Sequence, residues 1–234
     1  MQFEVTAQVR RSEPGFTQGL EYRNGVLFES TGNVVGTSRV QRIDPATGQV
    51  TTLQDGGNDY FGEGLTILGD RIWQLTWREG RVFQRDLSGR QVREFRNPRE
   101  GWGIAHDGRR LIVSDGSDRL FFHRPSDFAE QGSVQVRAPG GPVYGLNELE
   151  YVKGEVFANI FTTWRIVKIS PRTGCVLAVA DLSGLRARMP QAELAHIGAE
   201  SNFVLNGIAH NPATGLFTLT GKYWNYLFTG RFVE

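Results

Sequence analysis

A carboxylate, three carboxamides and an indole stand at matching places in a chain that repeats itself. They are Glu63, Gln18, Asn147, Asn206 and Trp102, each two residues before an apolar anchor (Leu65, Leu20, Leu149, Ile208 and Ile104). A repeat that only built a scaffold would favour one small or apolar residue at that position. A mixed polar set with aromatics beside it suits a binding site, where a few polar groups converge in an apolar wall. Phe16 and Phe61 precede Gln18 and Glu63 by two residues, in F-T-Q-G-L and F-G-E-G-L. Trp77 and Phe161 share a second column, whose equivalent late in the chain is Gly221, followed by Lys222. A carboxyl among aromatics can take up and return a proton. Amides can hold a polar substrate, and a buried lysine or an indole N–H can stabilise an oxyanion. Two other chemistries fit parts of the set. Glu63, Asn147 and Asn206 are oxygen ligands of the kind used by metal-dependent propeller lactonases. Tryptophans alone would suit a non-catalytic binder of peptides or sugars.

The elements that must position these side chains are short strands. VLFEST (26–31), RIWQLTW (71–77), RLIVSD (110–115), EVFANIF (155–161) and GLFTLTG (215–221) are β-branched or aromatic and follow turn signals such as Asn24-Gly25 and Lys153-Gly154. A second strand precedes each turn. The anchors at 20, 65, 104, 149 and 208 lie 45, 39, 45 and 59 residues apart by these numbers. Four short strands per interval of about 40–50 residues mark a β-propeller blade. The expectation is therefore an all-β, five-bladed propeller spanning 1–234 as one domain. Strands within 3–9 and 226–234 would share the last blade and close the ring, removing open sheet edges. The long fourth interval holds DLSGLRARMPQAELAHIGAES (181–201), read as a short helical insertion, either surface decoration or a rim over the site. Rotation about the axis would bring the five matched residues to one mouth of the central channel.

Composition narrows the function. With 26 Lys+Arg against 25 Asp+Glu the net charge is +1, which argues against a nucleic-acid or membrane-surface binder. No apolar run reaches the length of a membrane span. One cysteine, Cys175, excludes an intramolecular disulfide, and His106, His123, His196 and His210 lack metal-ligand spacing. No nucleophile elbow, P-loop or dinucleotide fingerprint is present.

The blocks FTQGLEY (16–22), YFGEGLT (60–66), EGWGIAHDG (100–108), LNELEYVKGEVFANI (146–160), VLNGIAH (204–210) and TGKYW (220–224) resemble, in order, those of the plant and bacterial glutaminyl cyclases. The resemblance runs from about Phe16 to the C-terminus. It implies a metal-independent enzyme without a cofactor that converts an N-terminal glutamine of peptides or proteins to pyroglutamate, releasing ammonia. It implies Glu63 as the general acid/base, with Lys222 and Asn147 in the catalytic set. Substrate-site roles carry over to Phe16, Gln18, Phe61, Trp77 and Trp102. Phe161 departs from the pattern, because the family usually has tryptophan there, so one wall carries a smaller ring. The resemblance also points to a periplasmic or secreted protein; a closed ring and balanced charge point to a monomer.

Overall fold

The computed structural model describes residues 1–32, 37–199 and 203–234. Five four-stranded antiparallel sheets form the blades of a propeller, with the N- and C-terminal strands paired in one of them. The inner strands are Thr17–Arg23, Gly62–Leu68, Ile104–His106, Leu146–Val152 and Leu205–Asn211. Each blade then runs outward through the strands read from sequence and ends in a polar outer strand, such as Gln91–Arg96 in blade two. Blade five takes its outer strand, Gln2–Arg10, from the other end of the chain, pairing Phe3 with Phe232 and Val9 with Leu227. The ring is thus closed as expected.

The inner and middle strands are buried on both faces, so a blade completes its core only against its neighbours. Accordingly each interface has its own core. Phe28 and Val40 of blade one meet Leu65 and Ile72 of blade two. Trp73 and Val82 meet Val113 and Phe121 of blade three. Leu20 and Ile43 close the circle against Ala209 and Leu227 of blade five.

The channel is drawn tight one residue after the matched positions. Gly19, Gly64, Gly103 and Gly207 stand there in four blades, and Glu148 in blade four. A Cβ on Gly19 would lie 2.1 Å from the Leu65 nitrogen, and one on Gly103 2.0 Å from the Asn147 oxygen. Only glycine lets adjacent inner strands approach so closely. The strand register slips at the same level, between Thr17 and Gly19, Gly62 and Leu65, Leu146 and Leu149, and Leu205 and Ile208. Such bulges re-aim the side chain beside them.

The insertion is built into the structure. A 3-10 turn, Ser183–Arg188, leads to a helix, Gln191–Ala199. Leu182, Leu185 and Met189 join the core between blades four and five, against Trp224 and Phe228. The Glu193 carboxylate accepts the backbone N–H and side-chain amide of Asn225. Residues 200 and 201 of the expected insertion, and the side chain of His196, lie outside what is described.

Candidate active site

At the bulged end of the channel is a cavity of about 260 Å³ lined by Phe16, Gln18, Phe61, Glu63, Trp77, Trp102, Asn147, Phe161 and Lys222. These nine come from all five blades, and they are the nine residues expected from sequence to form the site. Glu63, Gln18, Asn147 and Lys222 are buried beneath the rings. Asn206 is the matched residue the cavity leaves out. It is fully buried and sits behind Gln18, donating from Nδ2 to the Thr17 carbonyl (3.0 Å) and to Gln18 Oε1 (3.3 Å). With its oxygen engaged, the Gln18 amide presents its Nε2 to Glu63 Oε1, donating at 3.0 Å. Three ring members of three blades thus form one chain ending on the carboxyl.

Burial pushes the Glu63 carboxyl well above the ordinary carboxylate range; the Lys222 ammonium opposes this, while Glu79 and Glu100 add to it. Lys222 is pulled down to about 8 by burial, against the attraction of Glu63. The ammonium lies between two rings, 4.9 Å from the centroid of Phe16 and 4.8 Å from that of Phe161. Phe161, though smaller than tryptophan, therefore still presents a π face to the cation. Asn147 Oδ1 is buried with no hydrogen-bond partner among the described residues, a free acceptor at the pocket wall.

The tryptophans correct one expectation. An indole N–H stood beside lysine as a candidate oxyanion donor. Instead Trp77 and Trp102 both donate to Glu100 Oε2, at 2.9 and 3.2 Å. Lys222 is left as the positive group in the cavity lining.

Two residues escaped the sequence reading. Glu100 stands two residues before Trp102, in the column that holds Phe16 and Phe61 in blades one and two, as an acid where those have an aromatic ring. Glu148 likewise is the acid where four blades have glycine. Its carboxylate accepts the backbone N–H groups of Leu20 (3.1 Å) and Ile208 (2.8 Å), tying blade four to blades one and five across the channel.

A propeller with an aromatic-walled cavity and one buried carboxyl at its mouth agrees with what comparison finds. The glutamine cyclotransferase family matches residues 1–232, and the chain belongs to that family. It is 39% identical over 230 residues to a glutaminyl-peptide cyclotransferase of Arabidopsis thaliana, covering 97% of this chain and 70% of that one. The crystal structure of Myxococcus xanthus glutaminyl cyclase superposes with a TM-score of 0.87 at 35% identity, covering 98% of this chain and 96% of that one. The WD40 β-propeller domain of Doa1, at 9% identity, has a TM-score of 0.51 over 92% of this chain and 63% of that one, a likeness of fold alone.

Proposed function

We propose that the protein is a glutaminyl-peptide cyclotransferase in which Glu63 is the general acid and base. The observation that carries this is that Glu63 is the one carboxyl among the nine lining residues, buried, beside a buried ammonium and under aromatic walls. Family membership supplies the reaction class. The substrate is a peptide or protein with N-terminal glutamine. Its α-amine, with an ordinary pKa near ~8, attacks as the neutral amine, its ammonium proton having passed to solvent. Glu63 accepts one of the two protons left on that nitrogen as it adds to the side-chain Cδ. The carbonyl oxygen becomes an oxyanion, which the Lys222 ammonium stabilises. Glu63 then returns the proton to the departing amide nitrogen, the Cδ–N bond breaks, and ammonia leaves a pyroglutamyl ring. A single carboxyl with its pKa raised above the ordinary carboxylate range serves both transfers. The Asn147 Oδ1 acceptor suits the substrate's amide N–H, and the rings fold the extended side chain toward cyclic geometry. Incubation with a glutamine-initiated dipeptide tests the activity. Stoichiometric ammonia and loss of its mass from the peptide are expected; an unchanged peptide would contradict the proposal.

A further inference from the structure

The walls of the cavity form a closed circuit of contacts. Phe16 meets Phe61 edge-on at 6.0 Å between centroids, Phe61 meets Trp77 at 5.5 Å, and Trp102 meets Phe161 at 5.3 Å. Two gaps remain between these rings, and each is bridged by a charge. Lys222 spans Phe161 and Phe16. Glu100 spans Trp77 and Trp102 through their indole N–H groups. The first bridge lies in the cavity lining and the second behind it, since Glu100 is not among the nine lining residues.

We infer that Glu100 is a positioning residue for this site, holding the tryptophans of blades two and three at the spacing that a glutamine side chain requires. The inference rests on the cyclotransferase reading for its substrate but on geometry for its mechanism. Three donors converge on the one carboxylate. Oε2 takes both indoles, and Oε1 takes Arg78 Nε at 3.0 Å. The Arg78 guanidinium in turn lies 4.0 Å over the Trp77 ring, so that ring is held at its N–H, on one face and by the edge contact with Phe61. Trp102 is wedged as tightly. A Cβ on Gly116 would come within 2.7 Å of its ring. Neither tryptophan is fully buried, so packing covers only part of each ring and leaves some side-chain freedom to be removed. The shared acceptor removes that freedom before substrate arrives, which is the usual gain of a preorganised site. Both indole N–H groups are also kept out of the cavity, so its tryptophan faces stay apolar.

Glu100→Gln tests this in protein without substrate and again in turnover. The chain has five tryptophans. In a spectrum of the labelled indole N–H groups, the signals of Trp77 and Trp102 should move and lose protection. Those of Trp73 and Trp224, buried in the core, should stay in place and report an intact fold. In turnover, KM for a glutamine-initiated dipeptide should rise about tenfold, the loss of one charge-assisted hydrogen bond, with kcat falling less. The acidic limb of the kcat/KM profile should move to lower pH, because a negative charge that raises the Glu63 pKa is gone. Unmoved indole signals or an unchanged KM would overturn the inference. Failure of the acid/base reading is seen separately, in Glu63→Gln, and leaves the substrate-free spectra unaffected.

Discussion

Burial works against both charges at the heart of the pocket. It holds Glu63 protonated to higher pH than an ordinary carboxylate and pulls Lys222 down to about 8. A base must be ionised to act, so activity should climb as pH rises through the raised Glu63 value. It should fall again as Lys222 loses its proton near pH 8. The substrate amine titrates in the same range but works the other way, since its deprotonation makes the nucleophile, so the fall belongs to Lys222. In Lys222→Arg, whose guanidinium stays charged, the descending limb of the residual kcat/KM should move to higher pH; an unmoved limb would show that Lys222 does not set it. Asn206→Ala tests the chain through Gln18. With the Gln18 oxygen released, its amide no longer has to donate to Glu63, and kcat/KM should fall about tenfold, the worth of one buried hydrogen bond with its orientation. Wild-type kinetics in that variant would show that Gln18 is oriented without it. The types and places of these residues were legible in sequence, because rotation of a repeat carries matched positions to one mouth. Where the indole N–H groups point was not, because it depends on side-chain torsions and on the contact of Trp77 in blade two with Glu100 in blade three, which no spacing within one repeat displays.

At the scale of the element, the inner strands place the site by their bulges and glycines. Gly103 does not have a left-handed φ, so alanine is allowed by its backbone conformation. The cost arises from contact, since the new Cβ would overlap the Asn147 carbonyl oxygen at 2.0 Å. Gly103→Ala should lower stability by about 1–3 kcal/mol, as overpacking does, and displace Asn147, so that KM rises as well. Denaturant melts and steady-state kinetics read the two effects, and full stability with wild-type KM would refute the close-approach argument. The inner and middle strands were legible because they alternate or run apolar between turn residues. The outer strands were harder to read. Gln91–Arg96 is mostly exposed, so little apolar period remains in it. The small hairpin of Arg137–Ala138 and Gly141–Pro142 was missed for a related reason, its strands being two residues long.

On the scale of the whole molecule, the site exists only because the ring is closed. Lys222 and Asn206 come from blade five, whose outer strand is the N-terminal segment. Removing residues 1–10 deletes that strand and exposes the edge of Tyr226–Val233. The melting temperature should fall by about 5–10 °C, corresponding to a few kcal/mol in a chain of this size. An unchanged melt would show that closure contributes nothing to stability. Closure was legible from sequence because the first blade lacked a preceding partner while the chain ended in a strand. Glu148 stands out as the acid in a glycine column, but the tie its carboxylate makes across three blades was not legible, because its partners are backbone N–H groups of other blades, which no residue type marks.

The central claim is that one buried carboxyl moves both protons, and Glu63→Gln tests it most directly. Glutamine keeps the size and the hydrogen-bonding shape but cannot carry a proton between the two steps. Ammonia release from a glutamine-initiated dipeptide should fall by at least ~10²-fold in the folded variant, the usual worth of general acid–base catalysis, with much less change in substrate binding. A folded Glu63→Gln protein that turns over like wild type would contradict the account.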